Sequence, residues 1–207
     1  FDVSTAGTTL TVSGASAATS GGLTKIGAGT LALSGNNTYT GATTVDFGVL
    51  NIQSANALGT TAGGTSVTSG AALQIQGSIT TAAEALTLRG TGISNDGALR
   101  NISGANTYAG LVTLGSATRI NSDAGTLTLN AGTITGSGFG FTVGGLGNTS
   151  INSIIGTGAG TLIKDGAGTL TLSGASTYTG TTTISGGTLL LDAASGANRI
   201  HSGNALV

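Results

Sequence analysis

Seven carboxylates are the side chains of this sequence best able to do chemistry: Asp2, Asp46, Asp96, Asp123, Asp165, Asp192 and Glu84. Two carboxyls held about 5–10 Å apart can share general acid and general base roles in glycoside cleavage. Asp96 and Asp123 stand at a spacing of 27 (123 − 96), and so do Asp165 and Asp192 (192 − 165). In a chain wound in coils of nearly that length, each pair falls on neighbouring coils. Turn formation is the competing account. Asn95-Asp96-Gly97 is a turn sequence, and Asp is favoured there because it bonds its own backbone. Turn chemistry explains most of the seven.

Other chemistries find little support. His201 is the one histidine, and the chain has no Cys, so no Ser-His-Asp or Cys-His arrangement can be assembled. Calcium-binding repeats carry Gly-Gly-x-Gly-x-Asp nonapeptides, and none occurs. Gly156-Thr157-Gly158-Ala159-Gly160 lacks the Lys and the helix that a phosphate loop requires, so these glycines read as turns. No metal and no cofactor is expected. Thr43-Thr44 and Thr181-Thr182-Thr183 suggest threonine ladders of the ice-binding kind, but the sequence does not place Thr-x-Thr regularly enough. The three tyrosines, Tyr39, Tyr108 and Tyr178, could stack sugars. Their shared Thr-Tyr-x-Gly setting favours packing at one corner of a repeat.

The elements that must carry these residues are strands. Apolar residues alternate with small or polar ones at Leu31/Leu33, Leu50/Ile52, Leu73/Ile75, Leu127/Leu129, Leu170/Leu172 and Leu189/Leu191. A period of two puts the aliphatics on one face, and β-branched Thr suits the other. Gly and Asn punctuate the bursts and tolerate the φ values of sharp turns. No convincing helix period appears.

Composition points the same way. Charged residues make up 6% of the 207, against roughly 25% for a typical soluble domain. There are 39 Gly, no Pro and no Trp. A core of large aromatics is excluded, whereas many thin aliphatic layers are not. The net charge of −1 provides no footprint for nucleic acid. No apolar run reaches the ~20 residues of a membrane helix. Phe1 in place of an initiator residue marks the chain as a cut or partial product, with any targeting segment outside it.

The strongest signal is repetition. Residues 23–35 and 162–174 are nearly the same sentence at an offset of 139 (162 − 23), and a weaker copy lies between them. The tyrosines mark the copies at spacings of 69 and 70 (108 − 39 and 178 − 108), each followed by glycine at Gly41, Gly110 and Gly180. Like segments favour a solenoid, in which each coil stacks on the last about 4.8 Å away. At roughly 20 residues per coil the chain holds about ten coils in one continuous segment over 1–207. Leu31, Leu33, Leu127, Leu129, Leu170, Leu172, Leu189 and Leu191 are its expected core ladder.

The string Gly-Ala-Gly-Thr-Leu-x-Leu-Ser-Gly-x-x-Thr-Tyr-Thr-Gly-x-Thr-Thr, followed by Gly-x-Leu-x-Leu or Gly-x-Leu-x-Ile, stands at 27–52 and 166–191. It resembles the autotransporter-associated β-strand repeat, also called the passenger-associated transport repeat. The resemblance implies an all-β, right-handed parallel β-helix in a long bacterial surface or secreted protein. It implies export and display, and it supplies no catalytic residues.

The expected function is therefore structural: the extracellular shaft of a surface fibre, filament or adhesin. The expected partner is another length of solenoid, by head-to-tail self-association or by continuation, since Asn204-Ala205-Leu206-Val207 reads into Phe1-Asp2-Val3 as one strand-like run. A surface polysaccharide or a host-surface ligand is the second candidate partner. The alternatives are a carbohydrate-binding or carbohydrate-cleaving β-helix, which a clustered Asp groove would favour, and a passive passenger spacer.

Overall fold

The period-two bursts become short parallel strands in a computed structural model that describes residues 1–192, 199–200 and 207. The chain winds into a β-solenoid of about nine turns, one fewer than the sequence estimate. The difference arises because the coils are unequal and mostly longer than that estimate assumes. On the first face the shortest step is from Leu31 to its partner Leu50, and the longest is from Leu73 to its partner Leu99.

The first face stacks Thr9–Val12, Thr30–Leu33, Val49–Ile52, Ala72–Gln76, Leu99–Ser103, the end of Val112–Ser122, Phe141–Gly144, Leu162–Lys164 and Thr182–Ile184. The second stacks Leu23–Lys25, Thr43–Val45, Thr65–Val67, Leu86–Gly90, the start of Val112–Ser122, Thr133–Thr135 and Ile154–Gly156. Val112–Ser122 belongs to both, and its register shifts between Leu114 and Thr118, where it rounds the corner. A third face begins at Ala105–Tyr108 and continues through Thr126–Leu129, Asn148–Ile151, Thr169–Leu172 and Thr188–Leu191.

Two buried asparagines fix the corner where the third face begins. Asn106 Nδ2 donates to Asn101 Oδ1 at 2.6 Å and to Ser103 O at 2.7 Å. Asn101 Nδ2 donates to Ser122 Oγ and Ala124 O on the next coil. Buried amides are tolerable when bonded in this way.

The core is a set of inward files along the axis. Leu31, Leu50, Leu73, Leu99, Ile120 and Val143 are register partners in sequence, and all are fully buried. Each such side chain contributes roughly 1.5–3 kcal/mol through burial. On the third face Leu127 and Leu170 form one file and Leu129 and Leu172 another, again buried. Leu189 is only half-buried and Leu191 is exposed on the last strand of that face.

The two near-identical copies are not superposed along the axis. Followed from Leu31, its file reaches Lys164 after six turns. The sequence counterpart of Leu31 is Leu170 (31 + 139), six residues further on and on the third face. Within each copy the self-pairing is the same: Leu23 on Thr43 and Thr30 on Val49 in one, Leu162 on Thr182 and Thr169 on Thr188 in the other. The repeat is a unit of about one and a half coils, and the second copy is rotated by one face relative to the first.

Candidate functional site

The repeat corner is built around a buried lysine. Lys25 is fully enclosed and its Nζ donates to Ile26 O and Gly27 O at 2.7 Å each and to Phe47 O at 3.1 Å. Lys164 does the same in the second copy, to Asp165 O at 2.5 Å, Gly166 O at 2.9 Å and Gly186 O at 3.2 Å. Burial pushes both ammonium groups down in pKa. Gly48 and Gly187 adopt φ +68 at this corner, and a Cβ there would stand 2.9 and 2.8 Å from the respective Nζ. The Lys-x-Gly-Ala-Gly … Gly string is thus the recipe for one ammonium held by three carbonyls across two coils. Neither lysine is among the residues expected from the sequence to form a site. The signal was available: a lysine at the same place in both copies, next to the glycines.

The marker tyrosines are buried as well. Tyr39 Oη shares a 2.7 Å hydrogen bond with Thr43 Oγ1, and Tyr178 Oη shares one of 2.6 Å with Thr182 Oγ1. Burial pushes the Tyr39 phenol up to about 12. Tyr108 has Val112 in place of that threonine and donates instead to Glu84 O at 3.1 Å. Enclosed in this way, none of the three presents a ring to a sugar. Gly110 lies so close to Glu84 that a Cβ would meet its carbonyl oxygen at 1.6 Å, and Gly41 and Gly180 abut the preceding coil in the same manner.

Of the seven carboxylates, one is buried, three converge and three stand apart. Glu84 is inside, where Thr65 Oγ1 donates to its Oε1 at 2.6 Å and burial raises its pKa to about 7. Asp96, Asp123 and Asp165 converge on the first face. Arg100 donates to Asp96 Oδ2 at 3.0 Å, and its Nε and Nη2 reach Asp123 Oδ2 at 2.8 and 2.7 Å. Asn121 Nδ2 donates to Asp123 Oδ1, and Arg119 Nη2 donates to Asn121 Oδ1. Arg119 then grips Asp165 with two bonds of 2.6 and 2.8 Å. The result is one continuous network over four coils, beside a groove that Leu146, Gly145 and Gly166 also line.

Of the two pairs picked out by spacing, Asp96 and Asp123 do meet, through Arg100. Asp165 and Asp192 do not: Asp192 lies by Ser173 Oγ at 3.4 Å. Asp2 accepts from Ser4 Oγ, and Asp46 offers its backbone carbonyl to Thr68. His201 and residues 204–206 lie outside the described residues. Among the described residues no group of three or more His, Cys, Asp or Glu could hold a metal ion.

Of the two threonine runs, Thr44 does lie in an outward file, whereas Thr183 pairs with Ile163. Thr24, Thr44, Ser66, Thr87, Thr113 and Thr135 form one outward file on the second face. Thr-x-Thr recurs on the third face at Thr126/Thr128 and Thr169/Thr171, with Asn148/Ser150 on the rung between.

Comparison with known proteins bears on the two copies directly. The passenger-associated transport repeat family matches residues 23–52 and 162–191. The two copies are passenger-associated transport repeats. Their matched spans take in the lysine corner, the tyrosine and its threonine, and both self-paired strands. The chain is also 35% identical over 189 residues, 91% of its length, to the adhesin BmaC autotransporter of Brucella suis biovar 1 (strain 1330). It spans only 4% of the length of that relative. No solved structure matches significantly. The chain is a repeat β-solenoid of the autotransporter passenger type, homologous to an adhesin.

Proposed function

We propose that this chain is a length of extracellular shaft in a bacterial surface protein, acting through its shape and surface rather than through catalysis. The observation that carries this reading is the continuous parallel pairing of the first face, strand on strand from Thr9–Val12 to Thr182–Ile184, with a transport repeat at 23–52 and another at 162–191. Stacked backbone bonds and aliphatic files give a stiff rod, about 43 Å long for nine turns at 4.8 Å each. The groove carboxylates favour no acid–base role, because each is held by an arginine.

The partner we propose is a further length of solenoid stacked end to end. Val207 supports it: its N–H donates to Thr182 O and its carbonyl accepts from Ile184 N–H, adding a rung beyond Thr182–Ile184. On the first coils Val12, Leu23 and Leu33 line an apolar hollow, a surface of the kind that a further coil covers. Electron microscopy of the 207-residue chain and of a tandem of two copies tests both statements. The tandem should be a straight rod of twice the length, and the single chain should form end-to-end multiples as its concentration rises. A kinked tandem would refute the shaft, and strictly monomeric rods at every concentration would refute the stacking.

A further inference from the structure

We propose that the groove beside Arg100, Arg119 and Asn121 is a binding site for a neutral saccharide. This goes beyond the shaft reading and does not depend on it. The groove has a volume of about 430 Å³, within the range of small-molecule sites. Its rim consists of planar groups: the guanidiniums of Arg100 and Arg119, the carboxylates of Asp96 and Asp123 and the Asn121 amide. These place donors and acceptors side by side, and vicinal hydroxyls both donate and accept. Leu146, 77% exposed at the groove wall, offers an apolar surface to the C–H face of a sugar ring.

Charge selects the class of ligand. Five of the thirteen charged side chains of the protein (six basic, seven acidic) lie in this network, yet each arginine already holds a carboxylate. An anionic ligand would have to displace an aspartate, and a cationic one an arginine. A neutral polyol uses what the ion pairs leave over. One such group is Asp96 Oδ1, in a side chain 48% exposed at the groove, whose other oxygen is the one that accepts from Arg100. The ion pairs also hold the long side chains in place, so little rotamer freedom remains to be lost on binding. Nothing equivalent exists among the described residues of the second and third faces, whose outward files are mainly Thr and Ser.

The test is an NMR titration of the 207-residue chain with maltohexaose, cellohexaose and mannohexaose. At least one should shift amides around residues 96–100, 119–123 and 144–147, with a dissociation constant on the order of millimolar that changes little on going to about 0.5 M salt. Leu146→Ser, at an exposed position, should weaken binding about tenfold without altering the melting temperature, and Asn121→Ala should weaken it similarly. Asn51→Ala, outside the network, should not. The proposal is overturned if none of the three sugars shifts these amides at about 20 mM. It is equally overturned if Leu146→Ser binds as the parent does, or if only an acidic polymer such as polygalacturonate binds and salt abolishes it.

Discussion

Arg119 and Asp165 meet across a missing side chain. They lie two coils apart, and on the coil between them Gly144, the register partner of Asn121, sits under both side-chain ends. A Cβ at 144 would stand 2.1 Å from Arg119 Nη2 and 2.2 Å from Asp165 Oδ1. The glycine is what lets a bidentate pair span a whole intervening coil.

Gly144→Ala should therefore cost the ion pair and little else. The atoms it displaces are the ends of flexible side chains, so the loss should be about 1 kcal/mol or less. Urea unfolding of Gly144→Ala, Asp165→Asn and the double variant checks this. The double variant should be no less stable than the worse of the two singles; additive losses would show that the pair does not depend on the gap.

Replacing the corner lysine should be more costly than an ordinary surface change. Lys164→Met keeps the apolar stem and removes all three donors to Asp165 O, Gly166 O and Gly186 O. Carbonyls left unmet in a buried corner cost about 1–3 kcal/mol. Lys25→Met should behave alike, because its cage is the same. Thermal melts showing no loss for either would remove the lysine from the repeat's working parts.

Stability should fall as the pH rises through the Glu84 window. Its folded pKa is about 7, above the ordinary 4.5, because burial disfavours the carboxylate. Between those values the folded state binds more proton than the unfolded state, so stability declines with pH and levels off above about 7. Glu84→Gln should flatten that part of the profile. Chemical denaturation across this pH window reads it directly, and an unchanged slope in Glu84→Gln would assign the dependence elsewhere.

Leu172→Asp and Leu191→Asp should part company. Leu172 is 1% exposed in its file beneath Leu191, which is 40% exposed. An unpaired charge at 172 should destabilise by more than about 4 kcal/mol, enough to prevent folding, whereas 191 should tolerate the same change nearly unharmed. Circular dichroism and thermal melts distinguish the two.

Much of the architecture was legible because a strand's period of two survives any coil length. Leu31/Leu33 and Leu170/Leu172 needed only alternation to be placed inward. What alternation cannot convey is which residues lie above one another, since coils as unequal as Leu31 to Leu50 and Leu73 to Leu99 let the spacing drift. Arg119 and Asp165 have a spacing of 46, which means two coils only when the intervening lengths are known. The Asp96–Asp123 meeting was found for a partly accidental reason, because Arg100 joins them. The lysine corner was missed because a lysine is ordinarily assigned to the surface, and only matching Lys25 to Lys164 within the repeat argues otherwise.

The six-residue offset between the file of Leu31 and its repeat counterpart has a consequence for display. A unit that returned after a whole number of turns would show its corner along a single edge, and that side alone would carry it. A unit that returns one face late distributes its corner like the treads of a spiral stair. Three such steps bring it round the full compass, so a column assembled with this offset has no blind side. Whatever the corner presents can then be met from any direction of approach.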